Sequence, residues 1–284
     1  MSSDIDVLRP DVQTALTAWA ERVRANRAQV EAVREANPRD FYAPIAGLFR
    51  ADPRRQDDPT LQVLRALVRP DDSVLDIGAG GGRFALALAL QTREVIAVEP
   101  SDGMLGVLRE QMAEHGVGNI RIVQGAWPAA ADALEADIGL LAHLGYDVED
   151  IGPFLDAMEH AARRLCIAVF LEQPPPTEAD RLWPAVHGLT RATLPSLPEF
   201  LALLLARRCV FEVRLVERSP QTYADTEQAL AWLRGQLWTR PDSPKDRVLQ
   251  QLLAERAKRR DDGQYTLSSE SVRVGIVSWT PQRR

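Results

Sequence analysis

The hydrophobic positions of this 284-residue chain change their spacing along its length. From about residue 73 onward, short apolar runs typical of strands alternate with stretches whose apolar positions recur at helical spacing. The runs predict seven strands, near 73–77, 94–99, 119–124, 137–144, 165–172, 209–218 and 271–280. The stretches between them predict helices near 83–92, 101–115, 150–164 and 198–207. Such alternation implies right-handed crossovers, so we expect an α/β fold with a mainly parallel, doubly wound sheet.

The N-terminal stretch, residues 1–56, lies outside this alternation and predicts a helical extension. One stripe of positions recurs there at alternating four- and three-residue steps: Val12, Leu16, Trp19, Val23, Asn26, Val30 and Val33. A stripe of about three heptads is at the lower limit for a coiled coil. We therefore favour packing on the chain's own domain, as a lid, over a seam between two copies.

Two further segments interrupt the main domain, which we expect to span residues 57–284. The first insertion, 173–197, is interpreted as a loop that holds Trp183 and His187. The second, 219–268, carries two helix starts, at Asp225 and at Ser243-Pro244. Loops at the carboxyl edge of an open sheet build its binding crevice, so these insertions are expected to cover a substrate. A stabilising appendage without substrate contact is the alternative.

The composition favours a small-molecule enzyme of the cytoplasm. The net charge is -6, which gives no electrostatic basis for binding nucleic acid. The longest apolar runs fall far short of the roughly 20 residues that span a bilayer, and Met1–Asp6 has no signal-peptide pattern. The two cysteines, Cys166 and Cys209, have no metal-ligand spacing, and we expect no metal. We expect no membrane partner, and a monomer or a homodimer.

A glycine-rich turn follows the first predicted strand and predicts a nucleoside site. Glycines stand at positions 78, 80, 81 and 82, where missing side chains would let a ligand lie on the backbone. The second predicted strand ends in Glu99, about 20 residues beyond the first glycine, where a carboxylate can accept from both hydroxyls of a ribose.

Asp76 narrows the choice of nucleoside. A dinucleotide site must place a pyrophosphate at the following helix N-terminus, and an acid at the end of the strand would repel it. A carboxylate there suits a cationic group such as an amino-acid ammonium. The G-x-G-x-x-G spacing also fails from Gly78, because position 83 is arginine, and survives only as Gly80-x-Gly82-x-x-Ala85.

The run Asp76-Ile-Gly78-Ala79-Gly80-Gly-Gly82, together with Glu99, resembles the first two motifs of the class I S-adenosylmethionine-dependent methyltransferases. The resemblance is close over residues 57–172 and rests on strand pattern alone over 198–280. It implies a seven-stranded Rossmann-like sheet whose last strand enters antiparallel. It also implies that S-adenosyl-L-methionine is the cofactor.

The resemblance further implies which residues hold the cofactor. Gly78, Ala79 and Gly80 would contact its methionine part, with Asp76 beneath, and Glu99 with Pro100 would bind the ribose. Met104 would pack under the adenine, or belong to the core. After the third strand come Gly125, Ala126 and Trp127, and alanine stands where many family members carry an acid that accepts from the adenine amino group. A backbone carbonyl, Gln124 or water must replace that acid, while Trp127 flanks the ring or is structural.

The transferred methyl should face the end of the fourth strand, where His143 and Tyr146 are the candidate catalytic residues. His143 could be a general base, could contact cofactor or substrate, or could be structural. An Asn/Asp-Pro-Pro-Tyr sequence is absent here, which argues against amino-methyltransferases that act on DNA bases or glutamine. His187 is a candidate for the acceptor pocket.

The sequence therefore predicts an S-adenosylmethionine-dependent methyltransferase with a small or medium-sized acceptor. Two other classes stay open at this point. A nicotinamide-dependent oxidoreductase is disfavoured by Asp76 and by the failed glycine spacing. A cofactor-binding protein without chemistry would share the same motifs.

Overall fold

A computed structural model describes residues 10–35, 40–130, 133–175 and 177–282. Its centre is a seven-stranded sheet of the order β3-β2-β1-β4-β5-β9-β6. The seven strands are β1 (Ser73–Ile77), β2 (Glu94–Glu99), β3 (Ile120–Gln124), β4 (Ala136–Ala142), β5 (Ala162–Leu171), β6 (Phe211–Arg218) and β9 (Val272–Trp279). A separate two-stranded ribbon joins β7 (Lys258–Arg259) to β8 (Tyr265–Thr266). The N-terminal residues Met1–Asp6, used above to judge a signal peptide, lie outside the described residues.

Strand β9 runs antiparallel to both of its neighbours, β5 and β6, whereas β1 to β5 pair in parallel. All strands except β9 therefore point their carboxyl ends toward one edge of the sheet. The predicted α/β, doubly wound sheet with an antiparallel last strand is confirmed.

Nine α-helices and one 3₁₀ helix are assigned within the described residues. In chain order the α-helices are α1 (Val12–Val33), α2 (Pro59–Leu67), α3 (Ala85–Ala89), α4 (Asp102–His115), α5 (Ile151–Ala161), α6 (Thr177–His187), α7 (Leu197–Ala206), α8 (Thr226–Leu237) and α9 (Pro244–Arg256). The 3₁₀ helix spans Ala43–Phe49. Side-chain caps explain several starts: Asp58, Ser101, Asp225 and Ser243 each accept an amide of the first turn. Gly116, at a φ of 66°, ends α4.

The interpretation of 173–197 as a loop was wrong, because the structure forms α6 within it. Pro184 lies inside that helix, at a position where proline removes a backbone donor and costs about 3 kcal/mol. Burial offsets this cost: Leu182 and Trp183 are almost completely inaccessible to solvent. His187, predicted to lie in a loop, is the last residue of this helix.

Helices from both insertions share a second hydrophobic core, separate from the core around the sheet. It unites α6, α8 and α9 with the end of α1, and its largest buried side chains are Trp183 and Tyr223. We call these three insertion helices the cap.

Helix α1 buries its stripe against its own chain. Trp19, Val23, Asn26 and Val30 are buried, and α1 packs on α5 and α7. The indole Nε1 of Trp19 donates to the carbonyl of Val148 at 2.9 Å. Intramolecular packing was the favoured interpretation of this stripe; that it acts as a lid stays a prediction.

Across the described ranges, no helix has the length and apolar content needed to cross a membrane. Within the same ranges, His, Cys, Asp and Glu side chains form no group of three or more that could hold a metal ion.

Candidate active site

The glycine turn leaves β1 at the carboxyl edge of the sheet, between β2 and β4. Its amides point inward. Gly78 and Ala79 both donate to the carbonyl of Val98, at 2.8 and 3.1 Å, and Gly82 donates to the carbonyl of Ala79. The amide of Gly80 donates to the Glu99 carboxylate at 2.9 Å. A phosphate-binding turn needs free amides, and these four are already bonded within the protein.

The glycines themselves serve mostly packing. A Cβ on Gly78 would lie 2.5 Å from Leu144, and one on Gly82 would lie 2.5 Å from Leu108; both glycines also have positive φ angles. Gly80 differs, because the nearest atom to its absent Cβ is the sulfur of Met104 at 3.9 Å. The sequence predicted that a ligand could lie on the backbone at all four glycines. Of Gly78, Gly80 and Gly82, only Gly80 has free space beside its backbone.

Asp76 lies below this turn and is 2% exposed. The backbone N–H of Ala85, the first residue of α3, donates to its carboxyl group. Burial, followed by the negative charge of Glu99, raises the pKa of Asp76 to about 7. A cation placed beside Asp76 would relieve both effects, whereas a pyrophosphate would find the first amide of α3 occupied and a second negative charge nearby.

Glu99 ends β2 with both carboxylate oxygens held in place. Oε2 accepts from the amide of Gly80 and Oε1 from the amide of Ser101, each at 2.9 Å. Burial raises its pKa although these two bonds favour the charged form. Each oxygen keeps a further lone pair, so the oriented carboxylate can still accept from two neighbouring hydroxyls.

The residues predicted to surround the adenine lie beside Glu99. Met104 is 3% exposed, and its amide donates to the side chain of Ser101. Gly125 donates its amide to the carbonyl of Glu99 at 3.2 Å. Pro100 and Ala126 are exposed at the same edge. Their contacts with an adenosine stay predictions.

Two side chains in this region are already engaged within the protein. The Gln124 amide donates to Asp102 at 2.7 Å, and the half-buried Trp127 donates its indole N–H to the carbonyl of Phe154 at 3.1 Å. These bonds hold both side chains in fixed positions.

His143 follows β4, as predicted, in a left-handed backbone conformation with a φ of 55°. Its amide donates to the carbonyl of Val169, and its ring lies 6.1 Å from that of Phe84. Burial, then the positive charges of Arg218 and Arg83, lower the pKa of His143 to about 3. An imidazole with that pKa is neutral at physiological pH and a weak base. Contact with cofactor or substrate is therefore the role that the environment favours.

Tyr146 is 5% exposed and lies behind His143. Its hydroxyl accepts from the amide of Leu171 at 2.8 Å, and its ring packs edge-on against Phe170. Burial raises the pKa of this phenol well above its usual range. The side chain thus connects the loop after β4 to the end of β5. Its environment favours a role in holding this loop in place over a role in proton transfer.

Residues 40–49 belong to the predicted N-terminal extension and cross this edge of the sheet, a contact that no residue pattern had indicated. We call this segment the strap. Asp40 accepts from the Ser101 hydroxyl at 2.7 Å and from the amide of Gly103 at 3.2 Å. A Cβ on Gly103 would lie 2.7 Å from Ala43, so the strap lies directly on the start of α4.

Aromatic contacts join the strap to the cap. The ring of Phe41 lies 5.1 Å from that of Trp238, and Phe49 lies 5.9 Å from Trp232. Phe49 also borders the glycine turn at Gly81. The ring of Tyr42 packs edge-on between Phe41 and Phe49. Burial, then the charges of Asp147 and Glu99, raise the pKa of its phenol to about 12. The cap is therefore connected to the Glu99 region through one aromatic chain.

His187 does not join this cluster. Its Nε2 bonds with the carbonyl of Leu237 at 2.9 Å, and its ring lies 4.2 Å from that of Trp183, tilted by 44°, inside the cap. The structure brings the glycine turn, Asp76, Glu99, Met104, Gly125 and His143 together at one edge of the sheet.

Residues 74–163, which carry all of these groups, match a family model described as a methyltransferase domain. The sheet order, with its inserted antiparallel β9, agrees. Over residues 74–163 the chain is similar to methyltransferase domains, and its sheet has the strand order of the class I methyltransferase fold.

Two solved structures show the same fold. The YcgJ protein of Bacillus subtilis superposes with a TM-score of 0.54 at 20% identity, covering 79% of this chain and 99% of that one. A methyltransferase of Thiobacillus denitrificans, in complex with S-adenosyl-L-homocysteine, gives a TM-score of 0.52 at 19% identity, covering 87% and 99%.

The similarity to each sequence relative covers only part of that relative's length. An uncharacterized protein of Haemophilus influenzae is 32% identical over 105 residues, 36% of this chain and 39% of that protein. The 23S rRNA (uracil(1939)-C(5))-methyltransferase of Bordetella pertussis is 33% identical over 108 residues, 38% of this chain and 22% of that enzyme. The chain thus spans less than half the length of these two relatives.

The residues at this site fit S-adenosylmethionine, the cofactor of proteins with this fold. Two carboxylates, Asp76 and Glu99, face a cationic, hydroxyl-bearing ligand, and the bare surface of Gly80 leaves room between them. The residues predicted to bind the cofactor lie together at one edge of the sheet, and their contacts with it stay predictions.

Proposed function

We propose that this protein transfers a methyl group from S-adenosylmethionine to a small or medium-sized acceptor at the carboxyl edge of the sheet. One observation carries the proposal. The Asp76 carboxyl group accepts a hydrogen bond from the first backbone N–H of α3, and its pKa is nevertheless raised. That arrangement suits a cationic amino acid moiety and opposes a pyrophosphate, which separates this reading from the nicotinamide-dependent oxidoreductase.

Individual residues take the following roles in the proposal. Asp76 and the turn at Gly78, Ala79 and Gly80 hold the amino acid part of the cofactor. Glu99, oriented by the amides of Gly80 and Ser101, accepts from the ribose hydroxyls. Met104, with the backbone of Gly125 and Ala126, borders the adenine, and Trp127 and Pro100 form the rim.

When bound, S-adenosylmethionine supplies a methyl group on a positively charged sulfur. Displacement at such a methyl removes charge, so the protein contributes mainly alignment and exclusion of water. His143, neutral at physiological pH, orients the reacting partners by contact, and Tyr146 fixes the loop that carries it. The strap and the cap shield the cleft from water.

A small-molecule acceptor fits the charge of the chain better than a nucleic acid does. The rRNA enzyme of Bordetella is similar only over 22% of its own length, and the net charge of -6 here gives no general attraction to phosphate backbones. We further propose that the chain works as a monomer or a homodimer in the cytoplasm.

Ligand preference tests the cofactor assignment. We expect calorimetry to show saturable binding of S-adenosylmethionine and S-adenosylhomocysteine and far weaker binding of NADH, because Asp76 repels a pyrophosphate. Tight NADH binding without binding of S-adenosylhomocysteine would overturn the proposal. Binding without methylation of any compound in a metabolite library would favour the cofactor-binding protein without chemistry.

The covering role of the cap predicts ligand-dependent hydrogen exchange. With S-adenosylhomocysteine bound, we expect added protection at the glycine turn, in the strap and in α8, because Phe41 and Phe49 link these elements. The core strand β5 serves as the internal control. Protection confined to 76–104 and 124–127, with the added segments unchanged, would make them a rigid appendage.

A further inference from the structure

Arg218 lies at the carboxyl end of β6, the edge of the sheet that also carries the glycine turn, Glu99 and His143. It is half-buried. Within the described parts of the chain, its guanidinium has no hydrogen bond or ion pair to a protein group. Arginine that leaves bulk water usually pairs with an anion, so an unpaired one at a binding edge points to a ligand.

The neighbouring charges are predominantly positive. Helix α2 packs against β6 and begins at Asp58, whose carboxylate binds Arg83 at 2.8 Å and Arg55 at 3.0 Å. That single carboxylate is thus shared by two guanidinium groups. The Nε of Arg83 is buried and finds no acceptor among the described residues. Two guanidinium groups thus share one carboxylate, and Arg218 adds a third positive charge nearby without an ion pair of its own in the described ranges.

The second carboxylate near Arg218 is Glu178, from the start of α6. Its Oε2 accepts from the hydroxyl of Tyr223 at 2.9 Å, and its other oxygen has no partner in the described structure. Burial raises the pKa of Glu178, while the hydrogen bond from Tyr223 and the charge of Arg218 favour its ionised form. Even with Glu178 and Asp58 both ionised, two carboxylates face three guanidinium groups. The cluster keeps an excess of positive charge beside Arg218.

This cationic cluster borders the reaction side of the cleft. The guanidinium of Arg83 lies 5.6 Å above the ring of Phe84, and that ring lies 6.1 Å from His143. The charges of Arg218 and Arg83 are both close enough to His143 to lower its pKa. His143 follows β4, where the proposed function places the methyl group.

We infer that the methyl acceptor carries an anionic group, a carboxylate or a phosphate, and that Arg218 together with Arg83 binds it. The inference rests on the proposed function, which it extends to the class of acceptor. A guanidinium presents a planar pair of donors to such a group, so two arginines fix its orientation as well as its charge. The acceptor atom is thereby held at a set distance from the arginines, in front of His143.

The experiment uses the full chain saturated with S-adenosylhomocysteine and titrates benzoate and inorganic phosphate separately by calorimetry. Three proteins are compared: wild type, Arg218→Met and Arg214→Met. Arg214 is the matched control, because it is an exposed arginine on the same strand and the same face. Thermal unfolding checks that each variant is folded.

We expect wild type and Arg214→Met to bind at least one of the two anions equally well. Arg218→Met should bind it at least about tenfold more weakly, since hydrogen bonds to charged groups are strong and each decade of affinity is about 1.4 kcal/mol. The anion that binds more tightly distinguishes a carboxylate from a phosphate acceptor.

Equal anion binding by wild type and Arg218→Met, equal losses in both variants, or no saturable binding of either anion would overturn the inference. The binding of S-adenosylhomocysteine is measured first on each protein and should be unchanged. Its absence in wild type would instead overturn the proposed function, so the two failures are distinguishable.

Discussion

Glu99→Ala should weaken binding of S-adenosylhomocysteine by about 2–3 kcal/mol, which is a roughly 30–150-fold rise in the dissociation constant. The structure supports this expectation because the Glu99 carboxylate is 6% exposed and is oriented by the amides of Gly80 and Ser101. A pre-oriented acceptor loses no conformational entropy when the ribose hydroxyls bind. Calorimetry on the purified variant measures the change.

Glu94→Ala is the matched control for this experiment. Glu94 begins the same strand, β2, at the opposite edge of the sheet, and its removal should leave cofactor binding unchanged. The Glu99 variant also leaves two amides without their acceptor, so its thermal unfolding must be recorded beside the binding. An unchanged dissociation constant in a folded Glu99→Ala protein would mean that the ribose is held elsewhere.

Binding of S-adenosylhomocysteine should weaken about 50-fold between pH 7 and pH 5, approaching tenfold per pH unit at the acidic end, because one proton must leave before the ligand binds. The group responsible is Asp76, whose pKa is raised to about 7 by burial and by Glu99. The ligand ammonium favours the charged carboxylate and lowers that pKa in the complex. Above pH 7 the carboxylate is already ionised and the dissociation constant should level off.

Asp76→Asn tests the assignment of this pH dependence. The asparagine keeps the size of the side chain and an oxygen for the amide of Ala85, but it cannot ionise. We expect weaker binding at pH 8 and a flat profile between pH 5 and 8. A slope that persists in the variant would assign the titration to another group, and a flat wild-type profile would contradict the raised pKa.

Much of this site is encoded locally. The strand pattern, the glycine turn and Glu99 all reside in contiguous stretches, and β1 and β2 have the predicted bounds. Apolar periodicity and capping residues depend on neighbours within one or two turns, so the sequence carries them directly. The same locality explains why Ser101 and Asp225 mark helix starts that the structure confirms.

Sequence patterns were insufficient where contacts between distant parts of the chain decide the structure. The segment 173–197 was interpreted as a loop, yet burial of Leu182 and Trp183 in the cap stabilises α6 despite Pro184 within it. The glycines at 78 and 82 suggested ligand contact, which stays a prediction, and their missing side chains also admit Leu144 and Leu108. In both cases the deciding partner is remote in sequence, so no short pattern could reveal it.

The sequence by itself determined the order of the sheet strands along the chain, the glycine turn, and the positions of the two acids that we propose face the cofactor. Only the tertiary structure decided which groups meet across the cleft. Asp40 reaches Ser101 across 61 positions, and Arg218 approaches His143 from the far edge strand. The pKa of His143 likewise depends on burial and on charges from other elements. Periodicity encodes which face of an element is buried, whereas the partners on that face are fixed only when distant elements pack together.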